Sequence, residues 1–438
     1  MTRNAKYTAH ALCEGLTLHH IASDRFKSER MQISYSVPLC KEYTAKTALL
    51  AAVLGRGSHL YPDIEMLSSA LDDLYCATAY VDCGRVGEVQ LLSFSMRALK
   101  ATCIPDGTEV FLKTLSILSS LMMDPFLENG TFSSAYMENE KQNLINRIRG
   151  RVSNKDTFAG VRCIEELTKN EPYAASVLSE DDIAPITPEI LYAHYNDILA
   201  HAPIHVFYIG EKSVEELSAA LLAALAPLSH MRTAASLWTP QTGVLRHFTD
   251  PVRTVSEEME TKQSRICIGC RTGSVLSDGD FYIFTLFNEI LSTSATSRLF
   301  MRVREEMNLC YYCSTSVDAH KGIMRISSGV DPANVQKALN AILRELDDLA
   351  KGNISDEELA LAKRSLVAGY RTVEDSATAL LTWYANRAFA GIQTTPDEAA
   401  EQVQAVTKDE IAEKARKISP ELIYVLEASG REEEDDEA

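Results

Sequence analysis

Leu309-Cys310-Tyr311-Tyr312-Cys313-Ser314-Thr315-Ser316-Val317-Asp318 has an earlier counterpart in Leu74-Tyr75-Cys76-Ala77-Thr78-Ala79-Tyr80-Val81-Asp82, at an offset of about 235 residues. Within a few residues each is followed by glycine, Gly84 and Gly87 in the first copy and Gly322 in the second. A strand comes next, over residues 89–94 or 324–328, so each copy reads as a β-hairpin.

Working outward, helices over residues 110–123 and 335–349 follow the two hairpins. A turn and a second helix come after each, over 132–148 and 355–370, the latter opened by Ser355-Asp356-Glu357-Glu358 as a capping box. Further on, Thr187-Pro188-Glu189-Ile190 has Thr at the N-cap and Pro in the first turn, and a strand follows over 205–209. Its counterpart is Thr407-Lys408-Asp409-Glu410, another capping box, whose helix precedes a strand over 422–426. Three correspondences in the same order predict two homologous α+β domains. The Pro- and Gly-punctuated stretch 227–243 reads as a linker. The expected division is therefore residues 1–226, a linker, residues 244–430 and an acidic tail over 431–438.

The chain has 438 residues, 46% of them hydrophobic and 24% charged, which is ordinary material for more than one packed core. Its formal charge of -18 disfavours nucleic acid and anionic membrane as partners and suits basic partners or peptides. No apolar run reaches signal-peptide length in the first sixteen residues or spanning length anywhere, so a cytoplasmic location is expected. Ten cysteines are too sparse for a disulfide scaffold and are expected as reduced thiols.

Around the second hairpin stand Thr296-Ser297-Arg298-Leu299-Phe300, then Val303-Arg304-Glu305, then Asn308-Leu309-Cys310-Tyr311. This run resembles the S-R-L-F, L-R-E and G-L-A-Y segments in the C-terminal domain of the pitrilysin/insulinase family of inverted zinc peptidases. Gly15-Leu16-Thr17-Leu18, Phe26-Lys27 and Ser36-Val37-Pro38-Leu39 extend the likeness to the first half. The resemblance implies two domains, each a mixed, mainly antiparallel sheet backed by helices, in a clam-shell arrangement around a peptide chamber. It also implies that an arginine and a tyrosine seven residues apart contact substrate, and Arg304 and Tyr311 are the residues at that spacing.

Active members of the family bind zinc through H-x-x-E-H on a helix, because residues at i and i+4 share a face while the glutamate activates water. Aligning residues 47–57 with that helix puts Ala48, Ala51 and Ala52 at those three positions. A later helix carries the third ligand in the family, and the likeness of residues 140–148 to it puts Arg147 there, a cation that repels zinc. No metal or other cofactor is expected in this chain, and no catalytic residue.

Other candidates have plainer readings. Cys267-Ile268-Gly269-Cys270 and Cys310-Tyr311-Tyr312-Cys313 have zinc-ribbon spacing, but both segments read as strands, on which i and i+3 face opposite sides. His201 and His205 flank Pro203, which argues against a shared helix, and His19, His20 and His59 read as surface or satisfied histidines.

The resemblance therefore implies a non-catalytic subunit that binds an unstructured peptide and completes the active site of a zinc-bearing paralogue. In that arrangement zinc sits only in the partner, and Arg304 and Tyr311 serve the partner's site. Similar bacterial proteins carry the label elongation factor P aminopentanol-modification-associated, and others accompany peptide-bacteriocin maturation. A homodimer is the alternative assembly. The alternative function is a structural or peptide-holding protein without a proteolytic partner, and the third is a free-standing peptidase with improvised ligands.

Overall fold

The structure, a computed structural model, describes residues 5–230, 232, 236–246 and 251–429. The acidic tail and part of the expected linker lie outside the described residues.

The first sheet is built from β1 (Lys6–Cys13), β2 (Leu16–Ala22), β3 (Ser28–Pro38), β4 (Thr78–Val86), β5 (Val89–Leu99) and β8 (Ile204–Gly210). Its order is β1-β2-β8-β3-β5-β4. A separate short pair joins β6 (Leu127–Glu128) to β7 (Thr131–Phe132). The second sheet contains β9 (Arg253–Met259), β10 (Ser264–Arg271), β11 (Tyr312–Asp318), β12 (Ile323–Val330) and β13 (Ser419–Ala428), in the order β11-β12-β10-β13-β9.

Taken from its other end, the second sheet repeats the first strand for strand, with β9-β13-β10-β12-β11 standing for β2-β8-β3-β5-β4. Even the single parallel pair of each recurs at the same place, β2 with β8 and β13 with β9, while the other pairs are antiparallel. Mainly antiparallel mixed sheets were expected, and β1 is an extra edge strand on the first. The hairpins turn at Gly87 (φ 56°) and Gly322 (φ 70°), conformations that a side chain would strain.

Strand alternation explains the first core. Met31, Ile33, Tyr35 and Val37 on β3 point to one face, where Leu49 and Leu50 of α1 (Lys41–Leu54) and Phe111, Leu115 and Leu118 of α3 (Val110–Met123) bury them. The intervening Gln32, Ser34 and Ser36 face the other side, with Gln32 donating to Ser34 Oγ at 2.9 Å. Both capping boxes read from the sequence form: Thr407 with Glu410 opens α14 (Lys408–Lys417), and Ser355 with Glu358 opens α11 (Asp356–Val373). Thr187 caps α7 (Pro188–His201).

The chain forms two compact units, and neither is one run of sequence. The first comprises Met1–Ile148, Leu178–Thr242 and Glu374–Phe389, and the second comprises Arg149–Val177, Gly243–Val373 and Ala390–Ala438. Two contiguous halves therefore account for most of each unit, but a stretch of each half belongs to the other half's unit.

The exchanged stretches are equivalent in the repeat. In the first half, α4 (Ser134–Gly150) is followed by α5 (Lys155–Thr168); in the second, α11 is followed by α12 (Ala377–Phe389). Within the second unit, Cys163 and Leu167 of α5 are buried with Cys267, Leu422 and Tyr424 of the sheet. Within the first, Tyr384 of α12 stacks on Tyr7 at 4.7 Å, and Phe389 packs on His205 at 5.0 Å. The physical reason is that a sheet has two faces and each repeat's other helices cover only one.

Residues 244–430 produced alone would leave the Cys267, Leu422 and Tyr424 face uncovered. Such a fragment is expected to show no cooperative melt by circular dichroism, whereas the full chain does. A cooperative, soluble fragment would show that α5 is dispensable for the second core.

The degenerate metal position and a candidate peptide-binding edge

Helix α1 carries all three positions aligned with the zinc motif. Ala51 is buried and Ala48 and Ala52 are half-buried, and alanine favours the helix but brings no atom that can ligate a metal. The neighbouring Thr47 hydroxyl contacts both the Tyr43 carbonyl at 3.0 Å and His194 Nε2 of α7 at 2.8 Å. Burial, aided by the charge of Lys46, pushes His194 down to about 3, so the ring is neutral near pH 7. Just beyond α1, Arg56 pairs through Nε and Nη2 with the buried Glu140 of α4. Asn143 Nδ2 also donates to Glu140, at 3.3 Å. Two turns further along α4, Arg147 is exposed.

Zinc does not fit this residue set. Three alanines supply no donor, the nearby carboxylate is occupied by a guanidinium, and Arg147 brings a positive charge. Among the described residues no group of three or more His, Cys, Asp or Glu is placed to hold a metal ion.

Arg304 and Tyr311 flank the turn into β11, which is an edge strand of the second sheet. Arg304 lies on a π-helical segment (Leu299–Glu306) anchored by buried Leu299 and Val303. Arg298, at its start, is itself buried and pairs with Glu345 and Glu358, which holds the segment's base. At the turn, Asn308 adopts φ 48° and Leu309 N–H donates to the Val303 carbonyl at 3.1 Å.

The Arg304 guanidinium sits 4.7 Å over the Phe300 ring and 3.4 Å from Glu305, its side chain 41% exposed. Tyr311 is 53% exposed, and its hydroxyl donates to Asp331 Oδ1 at 2.7 Å. That hydrogen bond, reinforced by the carboxylate's charge, raises the phenol above its ordinary value. The hydroxyl therefore keeps its proton and remains a donor. Both side chains present polar groups beside β11, a terminal strand of its sheet whose Thr315 N–H is accepted by Ser292 Oγ at 2.8 Å. Asp331 was not singled out in the sequence, because nothing in its local pattern says that the chain folds back on it.

The cysteine pairs depart from expectation in one respect. Cys310 precedes β11 and lies in the turn, so strand alternation does not separate it from Cys313, and the two thiols interact. The four cysteines still cannot form a ribbon. Cys313 lies in register with Ser328 and Ile266, whereas Cys267 pairs with Ser327, on the opposite face of the same sheet.

The histidines include a feature not anticipated. His19 and His205 are paired on adjacent strands through a 3.0 Å contact, and Tyr7 contacts His19 Nδ1 at 2.7 Å. Burial pushes His205 down to about 4 and, helped by the charge of His205, pushes His19 to about 3. His201 ends α7, and His205 lies within β8 as Pro203 suggested. His59 is exposed.

Two mixed sheets of matching topology form the scaffold, and α1 carries alanines at the positions aligned with the metal motif. Residues 185–366 match the family described as "Peptidase M16 inactive domain". The chain is 27% identical over 417 residues to the "Probable inactive metalloprotease YmfF" of Bacillus subtilis, covering 95% of this chain and 96% of that protein. It is also 27% identical over 165 residues, 36% of its length, to the "Uncharacterized zinc protease SCO5738" of Streptomyces coelicolor.

Among solved structures, a conserved protein from Enterococcus faecalis matches with a TM-score of 0.89 at 25% identity, covering 97% of this chain and 99% of that one. A peptidase M16 inactive domain from Pseudomonas fluorescens matches in fold with a TM-score of 0.76 at 18% identity, covering 97% and 98%. The chain is thus similar to peptidase M16 proteins described as inactive. No helix among the described residues is long and apolar enough to cross a membrane.

Proposed function

We propose that this protein is the non-catalytic subunit of a two-chain cytoplasmic peptidase, binding an unstructured peptide and completing the active site of a zinc-bearing paralogue. The reading is supported by selective retention: the positions aligned with the metal motif are Ala48, Ala51 and Ala52, while Arg304 is half-exposed and Tyr311 exposed beside β11, a terminal strand of its sheet. An extended peptide adds to that edge through main-chain hydrogen bonds. Arg304 holds a peptide carbonyl or carboxylate, exchanging its weak contact with Glu305 for a charge-assisted hydrogen bond. The Tyr311 hydroxyl turns from Asp331 to donate to the carbonyl oxygen on which negative charge develops during the partner's chemistry.

The test mixes the purified chain with its zinc-bearing paralogue and follows cleavage of unstructured peptides. The mixture is expected to cleave and this chain alone is not. Replacing Arg304 by Ala together with Tyr311 by Phe is expected to lower kcat/KM by about 100-fold, the scale of losing an oxyanion donor and a binding charge. Full activity of the double variant would overturn both assigned roles.

A further inference from the structure

Cys310 and Cys313 are brought together by the turn that opens the second hairpin. After Asn308 the chain doubles back, and Tyr311 N–H joins the sheet at the Gly329 carbonyl, at 2.9 Å. The two thiols interact with each other and with Ser328, the cross-strand neighbour of Cys313, whose hydroxyl donates to the Tyr312 carbonyl at 2.9 Å. Each residue keeps 7% of its surface exposed, so the pair lies just beneath the surface beside the edge strand. Cys163 and Cys267 also interact, but at 0% and 2% exposure they are closed to any reagent while the protein is folded.

We propose that Cys310 and Cys313 form a redox dithiol that closes to an intramolecular disulfide on reaction with a low-molecular-weight disulfide of the glutathione class. The environment favours Cys310 as the attacking sulfur. The Cys313 hydrogen bond, with Ser328 and the positive charge of Arg304 assisting, pulls the Cys310 thiol down to about 7 in spite of burial. Cys313 is held well above the ordinary thiol value, by its hydrogen bond to Cys310 and by burial, and therefore acts second, as the resolving group.

In the first step the Cys310 thiolate attacks one sulfur of the small disulfide. That S–S bond breaks, one small thiolate leaves and takes up a proton, and a mixed disulfide remains on Cys310. Cys313 then gives its proton to solvent and attacks the Cys310 sulfur, expelling the second small thiolate. Two protein thiols are oxidised by two electrons, and one small disulfide is reduced to two thiols. The closed ring contains Tyr311 and Tyr312, so closure sets the orientation of Tyr311 at the edge. This last consequence rests on the peptide-contact reading above, whereas the thiol chemistry does not.

The test uses the full reduced chain, free of any partner, treated with glutathione disulfide near pH 7.5, then quenched in acid, alkylated and mapped by mass spectrometry. The peptide between Arg304 and Lys321 is expected to lose two hydrogens and resist alkylation. In Cys313→Ser the resolving step is absent, so glutathione should persist on Cys310 at about tenfold higher occupancy than in the parent chain. In Cys310→Ser no adduct should form on Cys313. The exposed Cys13, Cys76 and Cys103 report that the reagent has acted. If those three carry glutathione while Cys310 and Cys313 remain fully alkylatable, the proposal is overturned. It is overturned equally if the parent chain carries separate adducts on both. Matching melts of the variants and the parent exclude misfolding as the cause, and peptide cleavage with the paralogue is a separate readout.

Discussion

Lowering the pH from 7 to 5 is expected to remove about 5 kcal/mol of stability through three buried histidines. His19 and His194 titrate at about 3 and His205 at about 4 in the folded chain, burial being the leading cause for each. Unfolded histidine titrates near 6.5. The folded state therefore binds fewer protons than the unfolded state between these values, so stability is fully present above pH 6.5. It is lost as pH falls toward 4, at up to about 1.4 kcal/mol per pH unit for each group. Each histidine thus contributes about 2 kcal/mol of the loss at pH 5, and nothing further is lost once the folded groups protonate as well.

Denaturant midpoints at pH 7 and pH 5 measure this drop. His19→Phe keeps the stacking on Phe207 but removes one titrating ring, so the drop should shrink by about a third. An unchanged drop in that variant would rule out His19 as a source. Carboxylates held low by hydrogen bonds and ion pairs, such as Asp278 against Arg246, contribute only at lower pH and do not confuse the window.

Glu171→Ala is expected to cost about 3 kcal/mol, because it breaks a buried cluster from its anionic side. Glu171 lies in the stretch Arg149–Val177, which the first half contributes to the second unit. Its carboxylate sits 2.5 Å from Arg271 Nη2 and 2.6 Å from Lys321 Nζ, and both cations are 1% exposed. Glu421 still neutralises Arg271 at 2.6 Å after the substitution, while Lys321, which also donates to the Gly243 carbonyl, loses the Glu171 carboxylate.

Taking one carboxylate away from two desolvated cations is costlier than breaking a surface pair, which is worth at most about 1 kcal/mol. The matched control is Glu165→Ala: Glu165 also pairs with an arginine, Arg162, but its side chain is 42% exposed, and a loss below about 1 kcal/mol is expected. Calorimetry or chemical denaturation distinguishes the two. Equal small losses would show that the Arg271–Lys321 cluster is hydrated enough to tolerate the missing charge.

Much of the architecture was legible in the chain because it is written twice. The repeated hairpins, the capped helices and the order of segments reflect local rules: glycine at positive φ, Ser or Thr at an N-cap, and alternation along strands. Ala48, Ala51 and Ala52 could be set against a helical metal motif for a similar reason, since ligand spacing on a helix is set by the 3.6-residue turn, and all three lie on α1.

The exchange of α5 and α12 was not legible, because both are ordinary amphipathic helices and nothing local says which sheet a helix will cover. The Cys310–Cys313 contact was missed because an extended reading of residues 308–311 hides the turn at Asn308. The His19–His205 pair joins residues 186 apart in sequence, a distance across which no periodicity carries information.

What the sequence alone determined is the set of local structures, a consequence of residue type at fixed short spacing. What only the tertiary structure decided is which faces those structures cover. Burial then sets the charge states of His19, His194 and His205, the neutralisation of Arg271 and Lys321 by Glu171, and the pairing of two thiols beside Tyr311. Burial and electrostatic environment belong to the packed molecule, because they depend on what lies within a few ångströms in space.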